Sequence, residues 1–330
     1  MKQFIQKINQ EYSISATTMK PYHSVWKITT TAGQTYILKK IKTAPEYFAI
    51  LAQLVQELYL QGFEQLVPIL PTRHGEFYIQ SDNGFFSLSK CYAGEKPSFM
   101  NPQHLKKIGQ CFGRIHEFSR RIQFPKTLMN EYGIDEYQSY HLFLENLLPG
   151  LPERNKLNRV DRAVIEWSSY FLNQSRNVIQ ELNHYTNLTT ILYQQRGFCH
   201  NDPAPGNIIM DHQHCYLIDF EFISCDVWLK ELAHLVMRVL QATGWNPKEP
   251  LLDILITAYN QERPLLDIEL QILPILLRFP RRFWRFCHQR YQENLIWPEK
   301  RYHSRIWEII TEESQRSLFL ENWSQVFHFC

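Results

Sequence analysis

The pattern H-x-D-x-x-x-x-N at residues 200–207, followed by an aspartate at the end of an apolar run, constrains this chain more than any other feature. In phosphoryl transfer one carboxylate accepts the proton of an attacking hydroxyl, while an amide and a second carboxylate hold Mg²⁺ against the phosphates. The spacing therefore predicts Asp202 as the base, Asn207 as a metal ligand and Asp219 as the main metal ligand.

The simpler alternative is that residues 202–207 only form a turn, because Asp, Pro, Gly and Asn dominate turns for local backbone reasons. A preceding His200, and a second aspartate on a strand after a short hairpin, are more than a turn requires. Apolar runs at 190–193 and 216–218 flank the motif and are predicted to be strands that aim its polar groups. A kinase-like site is therefore favoured over a turn.

The first 92 residues are predicted to form a small antiparallel sheet with helices beside it. β-Branched and aromatic runs separated by turn residues indicate strands, and apolar residues at helical spacing indicate helices. The predicted strands span 24–30, 35–39, 67–70, 76–80 and 85–92, and the predicted helices span 1–12 and 45–62. Residues 92–94 would leave this sheet at a point where an adenine ring could bond the backbone.

Lys39 ends the second predicted strand, directly after Tyr-Ile-Leu. This placement matches the V-A-I-K pattern, in which the amine reaches nucleotide phosphates, and strand alternation turns Lys39 inward with Ile37. A solvated strand end is the alternative, because Lys40 and Lys42 follow. Kinase-like folds orient this lysine with a glutamate on the next helix. Glu57 is predicted in that role on spacing, and an exposed helix charge is the alternative.

From residue 102 onward the apolar period is 3.6, which indicates a mainly helical region. The predicted helices cover about 102–118, 137–148, 160–182, 228–242, 250–259, 267–277, 280–291 and 302–320. The predicted fold is thus α+β with two lobes: a nucleotide-binding lobe at 1–92, and a helical lobe at 93–330 that carries the catalytic loop and the acceptor pocket. The chemistry is expected at their junction, where ligands commonly bind.

Composition excludes several other classes of protein. With 330 residues, 44% hydrophobic residues and 21% charged residues, the chain is typical of a soluble globular protein. A net charge of +2 gives no indication of a nucleic-acid or membrane partner. Seven cysteines without a C-x-x-C motif indicate free thiols in a reducing cytoplasm. The start lacks a signal-peptide core, and no apolar run has transmembrane length.

Missing motifs narrow the class further. The sequence has no G-x-x-x-x-G-K-[ST], which excludes a P-loop NTPase, and no G-x-G-x-x-G over the first hairpin. No D-F-G to A-P-E activation segment follows Asp219. These absences favour the small-molecule kinases over the eukaryotic-type protein kinases.

The motif H-N-D-x-x-x-x-N with I-D-F-E resembles the aminoglycoside phosphotransferase and choline kinase superfamily. Segments 108–112, 114–119 and 277–284 more narrowly resemble the CotS-type spore-coat proteins of endospore-forming bacteria, and the resemblance covers nearly the whole chain. It implies a two-lobed kinase-like fold that binds ATP and Mg²⁺ through Lys39, Asn207 and Asp219, with Asp202 as base. It also implies synthesis in the cytoplasm of a sporulating cell, deposition in the spore coat and contact with other coat proteins.

Three positions depart from the pattern of these relatives. Asn201 stands where relatives usually carry glycine, and Glu221 where many carry Asp or Gly. Glu231-Leu-Ala replaces the Asp-Leu-Ala whose aspartate normally braces the catalytic loop, and Asp226 upstream is a possible substitute. Two hypotheses follow: an active phosphotransferase with a hydroxyl acceptor, which the retained polar groups favour, or an inactive kinase-like coat scaffold. The chain contains no recognisable acceptor motif.

The other candidate sites have simpler interpretations. His116 is expected to be structural, and His200 to orient the loop backbone. The histidines and the cysteine within 212–215 could imitate a metal cluster, but exposed turn residues are the preferred interpretation. The basic and aromatic run at 278–285 is expected to pack its aromatic rings beneath a basic outer face rather than to contact nucleic acid.

Overall fold

In the computed structural model the chain divides into two compact units, each described below by itself. The first comprises Met1–Met129, Gly197–Cys225 and Gln261–Arg263, and the second comprises Asn130–Arg196, Asp226–Asn260 and Pro264–Cys330. The structure describes residues 2–153, 156–185, 187–245, 250–293 and 295–323. The predicted class, an antiparallel sheet followed by a mainly helical chain, is confirmed. The predicted lobe 1–92 lies wholly in the first unit, which also contains the 200–207 motif.

A five-stranded antiparallel sheet with the order β1-β2-β3-β5-β4 organises the first unit. Its strands are β1 (Ala16–Tyr22), β2 (Val25–Thr30), β3 (Thr35–Lys40), β4 (Ile79–Ser81) and β5 (Gly84–Lys90). Helix α1 (Lys2–Glu11) covers one face, where Ile8 is buried together with Tyr36 and Leu38 of β3. Because side chains alternate along a strand, Lys39 lies with Ile37 on the opposite face.

The observed strands differ from the predicted ones in two places. Ala16–Tyr22 is a strand that periodicity missed, because only Ala16 of its side chains is buried. It is an edge strand that pairs with β2 alone, a position that tolerates Pro21. Residues 67–70 are not a strand. Val67 donates its N–H to Leu217 O at 3.2 Å, outside the sheet, and Ile69 forms only an isolated bridge with Ser89 of β5.

The rest of the first unit places the motif between short strands. Helices α2 (Pro45–Leu60) and α3 (Pro102–Ser119) lie near their predicted bounds, and Gly62 adopts φ +107° just beyond α2. Strand β6 (Arg196–Cys199) precedes the motif, and the hairpin of β7 (Ile208–Met210) and β8 (Cys215–Leu217) follows it, before β9 (Ser224–Val227). The apolar run at 190–193 is therefore not the aiming strand, because it lies in helix α6 (Leu188–Tyr193).

The second unit is built from helices. They are α4 (Glu136–Leu147), α5 (Arg159–Asn183), α6, α7 (Trp228–Ala242), α8 (Leu251–Glu262, whose last residues belong to the first unit), α9 (Asp267–Arg278), α10 (Arg281–Tyr291) and α11 (Glu299–Glu321). The apolar faces of α4, α5, α10 and α11 meet in one cluster in which the ring centroids of Phe171 and Phe283 lie 4.2 Å apart. No helix in the described ranges is both long enough and apolar enough to cross a bilayer.

The run at 278–285 packs as predicted. Phe279 and Phe283 are buried. Arg278 pairs with Glu181, and Arg282 pairs with Glu308 and Glu312 in the middle of α11. The aromatic rings therefore form core beneath a partly neutralised basic surface.

Candidate active site

The predicted catalytic loop is fastened to the end of β8 through both backbone groups of Ile218. His200 Nε2 lies 2.9 Å from Ile218 O, and Ile218 N–H donates to Asn207 O at 3.0 Å. Within the loop, Ala204 N–H donates to Asp202 O at 2.8 Å, and Asn207 N–H donates to Ala204 O at 2.9 Å. Since Ile218 immediately precedes Asp219, these bonds fix the loop relative to that aspartate. The buried His200 orients backbone, in agreement with the role expected for it.

Asn201 adopts a backbone conformation that favours glycine. Its φ is +64°, in the left-handed region that asparagine tolerates better than most residues do. Its side-chain Nδ2 donates to Phe222 O and to Ser224 Oγ, both at 2.9 Å. The loop is therefore tied to the chain on both sides of Asp219, and the asparagine adds bonds that glycine could not make.

Asp219 and Lys39 form an ion pair across 180 positions of sequence. Lys39 Nζ donates to Asp219 Oδ1 at 2.5 Å and lies 2.9 Å from Glu221 Oε1. The Lys39 side chain is 24% exposed, Asp219 33% and Glu221 only 8%. Asp219 has φ +70°, a conformation that is sparsely populated outside glycine and concentrates at functional sites. The β3 lysine thus lies beside the aspartate that the spacing of the motif singled out.

The structure does not bring Glu57 to this ion pair, which corrects its predicted role. Glu57 is exposed on α2, where its Oε1 accepts a hydrogen bond from Gln53 at 3.0 Å. Among the described residues, Asp219 and Glu221 are the carboxylates in contact with Lys39 Nζ. Glu221 is predicted from the sequence only as a departure from the pattern of the relatives, although its position two residues after Asp219 is a signal for a second carboxylate near Lys39.

Asn207 and Asp202 form the second bonded pair of the site. Asn207 Nδ2 donates to Asp202 Oδ2 at 2.8 Å and to Asp202 O at 3.0 Å. This leaves Asn207 Oδ1 without a hydrogen-bond donor among the residues that the structure describes. An amide oxygen and the Asp219 carboxylate are hard oxygen ligands of the kind that Mg²⁺ takes, one or two from protein with water completing the shell. The donor set therefore fits the predicted magnesium site.

The segment that leaves the sheet runs close against β7. Glu95 N–H donates to Met210 O at 2.9 Å, and Met210 N–H donates back to Glu95 O at 2.8 Å. A Cβ on Gly94 would lie 2.5 Å from Met210 O, so only glycine fits. Tyr92 packs its ring 4.6 Å from Tyr216, and burial, with smaller contributions from neighbours, raises the pKa of Tyr92 to about 12. The exit segment is thus anchored to the hairpin that follows the catalytic loop.

In the second unit, Asp226 belongs to a buried charged cluster. Lys230 Nζ donates to Asp226 Oδ2 at 2.7 Å, to Gly133 O at 3.1 Å and to the Glu136 carboxylate, and Asn130 Nδ2 donates to Asp226 Oδ2 at 2.8 Å. Burial raises the pKa of Asp226, and Lys230 opposes that rise. These partners were not predicted. The suggested brace of the catalytic loop by Asp226 stays a prediction.

The remaining candidates agree with their simpler interpretations. His116 is fully buried on α3. His212 and His214 are exposed in the β7–β8 turn, whereas Cys215 is buried and its carbonyl accepts from the Cys111 thiol at 3.5 Å.

Comparison with solved structures identifies the fold class as kinase-like. An aminoglycoside phosphotransferase from Alicyclobacillus acidocaldarius superposes with a TM-score of 0.79 at 19% identity, covering 97% of this chain and 96% of its own. Amicoumacin kinase, solved with AMP-PNP and Ca²⁺, gives 0.61 at 16% identity over 97% and 92% of the two chains. Spectinomycin phosphotransferase, solved with ADP and spectinomycin, gives 0.62 at 13% over 95% and 98%. At these identities the likeness shows the fold alone.

Comparison of the sequence with models of protein families identifies the family of this chain. Residues 5–323 match the family described as "Spore coat putative kinase YutH", so the chain belongs to this family. The predicted relationship to kinase-like spore-coat proteins is confirmed.

Proposed function

We propose that this protein is an ATP- and Mg²⁺-dependent phosphotransferase that phosphorylates a hydroxyl of a small molecule or of a spore-coat component. One observation carries the proposal: Lys39 and Asp219 are ion-paired, and Asp219 is fixed to the loop that holds the bonded pair Asp202 and Asn207. Catalysis of phosphoryl transfer depends mainly on positioning the reactants and stabilising charge, and little on covalent chemistry by the protein. A hydrogen-bonded polar network of this kind supplies both.

Each side chain has a role that its contacts support. Lys39, half-buried on the face of β3 opposite α1, would grip the nucleotide phosphates, and Glu221 would keep its amine in place once nucleotide engages Asp219. Asp219 and Asn207 Oδ1 would hold Mg²⁺, which supplies charge neutralisation for the phosphates when bound. Asp202, oriented through Oδ2 by Asn207, would accept the proton of the acceptor hydroxyl. His200 and Asn201 would keep these groups in register without touching the reactants.

A second candidate, a kinase-like coat scaffold without turnover, is favoured by the first hairpin. Tyr22 pairs directly with Val25, so only His23 and Ser24 form the turn between β1 and β2. His23 has φ +53°, in a place where kinases of known mechanism use a glycine-rich loop over the phosphates. A short turn without glycine offers fewer backbone amides to a triphosphate.

Two measurements separate these functions. ATP with Mg²⁺ should raise the melting temperature of the wild-type protein, because a ligand that binds only the native state stabilises it, and should raise that of Asp219→Asn much less. The absence of any shift in wild type would refute the phosphotransferase. Phosphate transfer to candidate hydroxyl acceptors, abolished in Asp202→Ala while the ATP-induced shift persists, would exclude the scaffold.

A further inference from the structure

Helices α7 and α10 of the second unit each carry basic side chains along one face. Lys230, His234 and Arg238 are spaced four residues apart on α7, so they lie along one side of the helix. Arg281 and Arg285 have the same spacing on α10. With Trp284, which shares the Arg281 side of α10, these residues are called the α7–α10 cationic site.

Arg281 and Arg285 of α10 lie close enough to His234 of α7 to interact with it electrostatically. Burial lowers the pKa of His234 well below its usual value, and Arg281, Lys230, Arg238 and Arg285 lower it further, in that order. The main contributions include no carboxylate, although helix α4 brings Glu136 close to Lys230 and to Arg281. The imidazole is therefore surrounded by positive charge from both helices and is neutral at pH 7.

This positive charge is only partly balanced within the protein. Lys230 is compensated by Asp226 and Glu136. In contrast, neither Arg281 nor Arg285 has an ion-pair partner within 4.0 Å among the residues that the structure describes. Arg281 also begins α10, whose first turn contains no acidic residue. A cation at a helix N-terminus opposes the helix dipole, so this arrangement is unfavourable until an anion joins it.

Two buried nitrogen atoms at the site also lack partners. His234 Nε2 and Trp284 Nε1 have no hydrogen-bond partner among the described residues. Trp284 is held in place by stacking on Tyr140 of α4 at 3.7 Å. The indole nitrogen can only donate, and His234 can donate from Nε2 as that tautomer or as imidazolium. Buried donors are normally satisfied, so the Trp284 N–H, and the His234 Nε2 in its protonated form, are suited to an acceptor from outside the described residues.

We propose that the α7–α10 cationic site binds an oxyanion, the phosphate or carboxylate group of a small molecule. The guanidinium groups of Arg281 and Arg285 match the planar geometry of such a group, and each can donate two parallel hydrogen bonds to it. Trp284 Nε1 and His234 Nε2 supply further donors in a partly dry environment, where a charged hydrogen bond is strong. The site lies within the second unit, so the proposal does not depend on phosphotransferase activity.

Inorganic phosphate is the first probe, used with the full-length protein carrying Lys39→Ala so that phosphate at the candidate active site does not contribute. Phosphate should raise the melting temperature above that in chloride of equal ionic strength. It should also raise the pKa of the His234 imidazole, followed by NMR, because it offsets the four neighbouring cations. Arg281→Ala or Arg285→Ala should weaken phosphate binding at least about tenfold, the usual effect of losing a hydrogen bond between charged groups.

Arg282→Ala is the matched control, since Arg282 lies on the same helix but pairs with Glu308 and Glu312. It should leave phosphate affinity unchanged. Arg285 is exposed, so its variant should fold even where Arg281→Ala does not. No phosphate-specific shift, a shift that survives in Arg285→Ala, or an equal loss in Arg282→Ala would each overturn the proposal.

A second arm identifies the source of the oxyanion. Glycerol 3-phosphate is compared with inorganic phosphate and with glycerol by calorimetry. Tighter binding of the ester than of the free ion indicates a phosphorylated metabolite, and tighter binding of the free ion indicates inorganic phosphate. Both results support the oxyanion site. Binding of glycerol as strong as that of glycerol 3-phosphate would show that charge is not recognised and would refute it.

Discussion

Replacing Glu221 by glutamine should weaken nucleotide binding by about fivefold to tenfold. At 2.9 Å, two unit charges attract by roughly 6 kcal/mol for an effective dielectric constant of about 20. Three features reduce that value: Lys39 is 24% exposed, Asp219 also holds its amine, and Glu221 Oε1 lies outside hydrogen-bond geometry. A net contribution of about 1–1.5 kcal/mol remains, at or above the upper end of the range for exposed ion pairs, because the Glu221 side chain is largely buried. This energy converts to the stated change in affinity.

The assay is calorimetric titration of ATP with Mg²⁺ into wild type, Glu221→Gln and Glu57→Gln. Glu57→Gln is the matched control, because it removes the same charge from the helix position first expected to orient Lys39, where Glu57 is exposed. It should bind nucleotide like wild type. If Glu221→Gln binds ATP as well as wild type or better, Glu221 repels the phosphates instead of positioning Lys39. A loss confined to Glu57→Gln would restore the original prediction and would mean that α2 moves when nucleotide binds.

Four further predictions concern stability and are checked by urea unfolding. Asn201→Ala should lower the free energy of unfolding by about 1–2 kcal/mol, because alanine is disfavoured at φ +64° and cannot make the two side-chain hydrogen bonds. Asn201→Gly should lower it by less. Gly94→Ala should cost about 1–3 kcal/mol, because its Cβ would lie 2.5 Å from a backbone oxygen. Lys230→Met should lower the free energy of unfolding by about 3–5 kcal/mol, because it leaves the buried Asp226 carboxylate without its lysine. The double variant with Asp226→Asn should recover part of this lost stability. The pKa of His234 is lower in the folded state than in the unfolded one, so stability should fall as pH drops below about 6.5, and His234→Gln should reduce that fall.

The groups within the motif could be predicted because their geometry is local. Residues 200–207 form one turn whose bonds join neighbours, and Ile218 connects that turn to Asp219 after a short hairpin. Lys39 could be found for a similar reason, since its place at the end of a strand is visible in the sequence. Strand β1 could not be predicted, because an edge strand with one buried side chain shows almost no alternation of apolar and polar residues.

The carboxylates that contact Lys39 could not all be predicted from the sequence, because these contacts join segments that are distant along the chain. Spacing along α2 favoured Glu57, but the buried face of that helix contains Leu54, Val55 and Leu58, which leaves Glu57 toward solvent. Glu221 reaches the lysine because Asp219 adopts φ +70° and the chain turns back beside it. The left-handed conformation needs no glycine, since asparagine and aspartate tolerate it, so the residue types alone did not reveal the turn. The contacts of Asp219 and Glu221 with Lys39 therefore depend on backbone geometry that is fixed by the hydrogen bonds of Asn201 and Ile218. Losing either set of bonds should displace the Lys39 amine, although neither residue contacts it.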